Sequence, residues 1–277
     1  MEYFKGTYPV SHLCKVLKVT RAAYYQWKKR RPSKRQLENE ALMNDIKNIY
    51  DKYEGIYGYR RIYIYIRFYL KKKVNRKRIQ RLMKKLGLKS VIRRKRNNYA
   101  PHVPKITTSN VLNRNFKAER PNQKWLTDIT EFRLSTDEKL YLSAIYDLNT
   151  CKIISYEISN KNNNDLVINT FNKAVKGMSP KETKGLLFHS DRGTQYTSQT
   201  FNTLINKYHM IHSMSRVKMC IDNGPMEGVW GLMKSELLLG DKKRRLPNYE
   251  EAEKMIREYI TFFNNERVSL KMSSLAG

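Results

Sequence analysis

Three carboxylates in this chain have a placement that suggests chemistry, although each also has an ordinary explanation. Asp128 sits in "WLTDIT", on the same face of a strand pattern as Leu126, Thr130 and Phe132. A charge among apolar neighbours is costly unless it has a partner or a metal, and a salt-bridged aspartate is the alternative. Asp191 follows the apolar run of "LLFHSDRGTQYTS". Strand ends present functional groups from a rigid scaffold, but an aspartate just before Gly193 is also a common turn residue. Glu227 comes two residues after Pro225, in the first turn of a helix whose dipole favours a carboxylate there, and Gly224 has no side chain to complete a capping box. Together the three supply oxygen donors of the kind Mg²⁺ takes, and paired divalent ions can activate a water or hydroxyl and stabilise a leaving oxygen in phosphodiester displacement. Lys234 stands seven residues after Glu227, so on a helix an ammonium and a carboxylate project from one side; a solvated lysine is the alternative.

The elements around these residues read as a sheet with helices. "KWLTDITEFRL", "KLYLSAIYDL" and "KIISYEIS" are alternating apolar runs joined by short turns, an antiparallel meander. A helix over about 165–175, a strand over 186–189, a helix after Thr197, a short strand near 210–214 and a helix from Pro225 should follow. Three strands and then alternating helix and strand describe an α/β fold, a mixed sheet of the ribonuclease H-like arrangement. In the last helix Met226, Val229, Trp230, Met233 and Leu237 form the expected core face, and Trp125 is also assigned to the core.

Ahead of this sheet the chain is helical and basic. Residues 8–31 read as two short helices with a tight turn near Lys18 and Val19, the size of a helix-turn-helix, and a longer helix should span Ser33 to Tyr53. "YGYRRIYIYIRFYL" has strand-like composition, but Ile62, Ile66 and Leu70 repeat at four-residue spacing, and it is read as a helix. Asn75 can cap a helix that buries Ile79, Leu82, Met83 and Leu86 and ends at Gly87, leaving Arg76, Lys77, Arg78, Arg81, Lys84 and Lys85 on its other face. The domains expected are a basic helical DNA-binding region over 1–89, a basic proline-containing linker over 90–122, a catalytic core over 123–240 and a helical C-terminal extension over 241–277.

Charge supports that division. The 277 residues carry 55 Lys and Arg against 25 Asp and Glu, a net +30. Residues 1–120 hold 33 basic and 7 acidic side chains, whereas the remainder is nearly balanced. Such an excess attracts polyanions, nucleic acid above all, and the basic face of the Asn75-capped helix suits phosphate contacts. Cys14, Cys151 and Cys220 are odd in number and far apart, which argues against a disulfide framework. His209, His212 and Cys220 lack a fourth ligand at suitable zinc spacing. No apolar run reaches membrane length, and the expected location is cytoplasmic, associated with the nucleoid.

Thirty-five residues separate Asp191 from Glu227. With that spacing the chain resembles the DDE transposases and retroviral integrases, specifically the insertion-sequence transposases whose long reading frame carries an integrase core. The matching stretches are "KWLTDIT", "FHSDRGTQYTS", "HSMSR" with "IDNGPMEG", Lys234, "YGYRRI" and, near the end, "FFNNERVSLKMSSL". The resemblance implies that Asp128, Asp191 and Glu227 are catalytic and hold two Mg²⁺ or Mn²⁺ ions, with Asp128 bridging them, and that Lys234 contacts a phosphate near the cleaved end. His189, Thr130 and Tyr196 belong to the same pattern, as supports for the carboxylates or as DNA contacts. The implied partners are double-stranded DNA, as terminal inverted repeats and target, further copies of the chain in the synaptic complex, and an upstream-frame helix-turn-helix protein. A non-catalytic DNA-binding regulator and a hybrid-specific nuclease are the competing readings. The sequence departs from the family pattern at Lys218 and Gly228, and it ends at Gly277, short of the family's usual Ser-Pro-containing tail.

Overall fold

The computed structural model describes residues 2–4, 6–92, 109–216, 219–238 and 245–268. Lys218, most of the basic stretch after Ile92 and the last part of "FFNNERVSLKMSSL" lie outside these residues.

The helical region begins with α1 (Val10–Val16) and α2 (Arg21–Lys29), joined at Lys18, whose φ of 52° makes the tight turn. Thr20 caps α2 by accepting the Ala23 amide. α3 (Lys34–Lys52), α4 (Tyr59–Phe68) and α5 (Arg76–Lys85) then pack around Ile46, Ile62, Ile66 and Ile79, each fully buried. The ambiguous aromatic stretch is thus a helix: its apolar residues at helical spacing can share one core, whereas a lone strand among helices would leave its backbone unpaired. Asn75 caps α5 through the Lys77 amide, and Gly87 closes it at φ 70°.

Five strands form the sheet: β1 (Lys124–Arg133), β2 (Lys139–Asp147), β3 (Lys152–Ser159), β4 (Leu187–Ser190) and β5 (Ile211–Met214). Their order is β3-β2-β1-β4-β5, with the first three antiparallel and β4 and β5 parallel to β1. This is the ribonuclease H-like arrangement expected from the element order. α6 (Asn164–Val175) and α8 (Gln199–Lys207) cover one face through Phe171, Phe188 and Phe201. Between them the short α7 (Pro180–Thr183) carries a capping box made by Ser179 and Glu182. α9 (Gly224–Leu237) and α10 (Tyr249–Asn265) cover the other face, around Leu126, Leu142, Met226 and Ile256.

Two segments outside the strands are tied to the sheet and its core. Part of the expected linker packs on the core: Leu112 is buried and its amide donates to Ser213 Oγ at 3.0 Å, while Arg114 pairs with Asp222. The C-terminal part of α10 reaches the edge of the sheet, where the Asn264 side chain accepts from the Ile153 amide and donates to the Ile153 carbonyl, at 2.9 and 2.8 Å.

Candidate active site

Strand register brings the two aspartates together. Along the parallel pair β1 and β4, Leu126 lies opposite His189, so two residues further on Asp128, midway along β1, and Asp191, just past β4, come side by side. The β1–β4 pairing ends before them, while β1 runs on against β2 with Asp128 opposite Ala144, so Asp128 is held by the sheet and Asp191 by the turn that follows β4. They line one cavity of ≈ 240 Å³ with Glu131, Asn162, Gln195 and Tyr196. Gly193 permits the turn: its amide donates to Asp191 Oδ1 at 2.9 Å, and a Cβ in its place would press on that same oxygen at 3.1 Å.

α9 delivers the third carboxylate. Its start is fixed over β1 by Asn223, whose side-chain amide donates to the Thr127 carbonyl at 3.0 Å, and by the Trp230 indole, which donates to Asp128 Oδ2 at 3.1 Å. Glu227 stands one turn before Trp230, exposed to solvent. Asp222, fully buried just ahead of the helix, accepts from Arg216 and Arg114 at 2.7–2.8 Å, and these bonds hold its carboxyl well below the usual range despite burial.

Asp128 registers the company it keeps. Burial first and the Asp191 charge second push its carboxyl up to about 7, Glu227 adds to that push, and bonds from the Ile129 amide and the Trp230 indole work against it. Like charges gathered at one place disfavour ionisation, and a cation relieves them. The donors are all carboxylate oxygens, the set that suits magnesium or manganese rather than zinc. Glu227 does not line the cavity of the two aspartates, and among the described residues no three acidic, His or Cys side chains stand close enough to hold one ion. The structure thus brings two carboxylates side by side and sets the third within electrostatic reach.

The other sequence-predicted residues fall into two groups. Lys234 is half-buried on α9, its Nζ 5.6 Å from the centre of the Phe132 ring; burial lowers its pKa while Glu131 and Asp128 raise it. Arg76, Lys77, Arg81, Lys84 and Lys85 are exposed on α5, while Arg78 turns to Glu38 and Asn39 of α3. His189, Thr130 and Tyr196, by contrast, are all buried. His189 Nδ1 and Nε2 lie 2.9 and 3.1 Å from Ser213 Oγ and Ser215 Oγ, and burial pushes its pKa down to about 4. Ser213 Oγ also accepts the Leu112 amide, so the buried imidazole is tied to the segment that precedes the sheet. Tyr196 Oη meets Thr127 Oγ1 at 3.0 Å.

Sequence reasoning assigned Trp230 to the core, and it is buried, but its indole N–H also orients a carboxylate. Glu236 was missed altogether: it occupies the core side of α9, while the expected Leu237 is only half-buried. A polar residue beside an apolar stripe gives no local sign that it turns inward.

A mid-strand aspartate and an aspartate just past the neighbouring strand, on a ribonuclease H-like sheet, with a glutamate on a helix beside them, make up the candidate site. Two family models, each described as Integrase core domain, match residues 118–220 and 227–276, and the HTH-like domain family matches 36–96. "Putative transposase InsK for insertion sequence element IS150" of Escherichia coli is 36% identical over 97% of this chain and 92% of its own length. "Transposase for insertion sequence element IS904" of Lactococcus lactis is 32% identical over 86% of this chain and 92% of its own. The HTLV-2 integrase catalytic core domain in complex with magnesium superposes with a TM-score of 0.41 at 22% identity, covering 54% of this chain and 91% of that one. The chain belongs to the insertion-sequence transposases with an integrase core and an HTH-like DNA-binding domain.

Proposed function

We propose that this transposase binds the terminal inverted repeats of a mobile element, nicks one strand to free a 3′-hydroxyl, and directs that hydroxyl at a target phosphodiester. The observation that carries this reading is the pairing of Asp128 with Asp191 across the β1–β4 register in one cavity, where burial and the neighbouring charges push the Asp128 carboxyl up. Asp128, Asp191 and Glu227 are the residues that would hold the metal. Two Mg²⁺ or Mn²⁺ ions, when bound, supply activation of the attacking oxygen and neutralisation of the leaving one.

The remaining work falls to the chain itself. The β1–β4 register and the Gly193 turn hold the two aspartates level; Trp230 and Asn223 hold α9 against β1 so that Glu227 stays within reach. Lys234, beside Glu131 and Asp128, offers a cation to a substrate phosphate. The exposed α5 residues Arg76, Lys77, Arg81, Lys84 and Lys85 take the DNA backbone, and residues 1–89 and 123–240 act as DNA-binding and catalytic parts. Joining two ends requires more than one copy of the chain, and an upstream-frame helix-turn-helix protein would supply further end recognition.

A cleavage and strand-joining assay on DNA flanking the gene, with Mg²⁺ or Mn²⁺, tests the proposal against the Glu227→Gln variant. Nicking and joining by the parent alone is the expected result. Binding without cutting by both proteins would replace the transposase reaction with a regulatory role.

A further inference from the structure

The helical region and the sheet meet at a buried carboxylate that takes no part in the chemistry above. Glu236 lies nine residues after Glu227 on α9, about 14 Å further along the axis. Its side chain has 0% exposure and is held from three directions. Arg61 Nη1 of α4 donates at 3.0 Å, Arg267 donates through Nε and Nη2 at 2.9 and 2.8 Å, and Tyr259 Oη of α10 donates at 2.8 Å. Burial works to raise the pKa of this carboxyl, and the Arg267 bond and then the charges of Arg267 and Arg61 outweigh it, leaving it below its ordinary value.

The surroundings tie the same parts together. The Arg61 guanidinium lies 5.6 Å from the centre of the Tyr57 ring, and Tyr57 Oη accepts the Val268 amide at 3.1 Å. Tyr53 stacks on Tyr57 with ring centroids 4.3 Å apart and also meets Phe262 of α10 at 5.9 Å. Phe262 packs against both the helical core and the sheet core. "YGYRRI" and "NNERV", remote in sequence, therefore converge on the helix that carries Glu227. Apolar contact alone would tolerate sliding of one region over the other, whereas a buried carboxylate with four directed bonds permits one setting.

We infer that Glu236 is a positioning residue: gripped by Arg61, it fixes α9 to the basic helical region, so that DNA docked on that region sets the placement of Glu227. The inference rests on the transposase reading for its consequence but not for the mechanical link. Arg61→Ala in the full chain is the informative variant, because Glu236 keeps Arg267 and Tyr259 and is not left as an orphaned buried charge.

Amide hydrogen exchange of the free protein should show α9 exchanging about tenfold faster in the variant, with β1 and β2 unchanged. On duplex DNA flanking the gene, affinity should stay within about threefold while metal-dependent nicking slows by about tenfold or more, and Arg61→Lys should restore much of the rate. Unaltered exchange in α9, or a loss of nicking matched by an equal loss of affinity, would overturn the link. A parent that cuts no DNA would instead remove the transposase reading, and the exchange of α9 would decide the link alone.

Discussion

At the scale of single residues, the indole of Trp230 is the contact with the clearest consequence. Trp230→Phe keeps the ring and removes the N–H, leaving Asp128 Oδ2 without that donor. A bond to the charged form is lost, so the Asp128 carboxyl, pushed up to about 7 with the indole in place, should titrate higher still, which carboxylate carbon resonances followed against pH would show. Stability should fall by about 1–2 kcal/mol, read by urea unfolding. An unmoved titration would mean the indole is a packing group only. Asp222 makes a second case. It accepts from two arginines and from the Arg216 amide, so Asp222→Ala should cost about 2–3 kcal/mol and loosen the start of α9. Unfolding at the parental midpoint would count against that role. Neither contact is legible in the sequence, because Arg114 and Asp222 are 108 positions apart and Trp230 and Asp128 are 102. Helical spacing marked Trp230 as core, and Asp222 was given no role of its own.

Elements were far more legible than contacts. Alternation in "KWLTDITEFRL" and the four-residue stripe in α4 are local signals of the period of each element, and β1 and α4 follow them. α7 was not foreseen, since a single capped turn is too short to show a period. The site shared this division: a charge on an apolar strand face, a strand end and a helix start indicated the carboxylates, while the parallel register that levels Asp128 with Asp191 depends on pairing across the sheet. α9 itself contains Gly228 and Gly231, where an added Cβ would meet nothing within 4 Å. Gly228→Ala should therefore stabilise the protein by about 0.5–1 kcal/mol in thermal or urea unfolding. A loss of stability would indicate that α9 bends at that point. The β4–β5 pair gives a pH prediction. His189 and His212 are each pushed down by burial to about 4, so both are neutral in the fold. Their contribution is complete above about pH 6.5 and is lost as pH falls towards 4, at up to about 1.4 kcal/mol per unit for each. Asp128, raised to about 7, works in the opposite sense over the same range. The acid loss should therefore be seen most clearly in Asp128→Asn, as a melting temperature that declines from pH 6.5 to 4.5; a level profile in that variant would contradict it.

For the whole molecule, the uneven charge has a direct consequence in solution. The 33 basic side chains within residues 1–120 face only 7 acidic ones, and five of them lie exposed along α5. DNA affinity should fall steeply with salt, and Lys84→Ala with Lys85→Ala should reduce the slope of log affinity against log salt by about one for each phosphate contact removed. A slope that the double variant leaves unchanged would place the DNA elsewhere. Assembly is constrained by a different feature. β3 is an outer strand, and an outer strand is where another chain can extend a sheet by backbone pairing. Asn264 reaches over from α10 and occupies both the amide and the carbonyl of Ile153, as a neighbouring strand would. A second copy cannot continue the sheet through that residue, so along β3 the molecule carries its own stop against growth by backbone pairing.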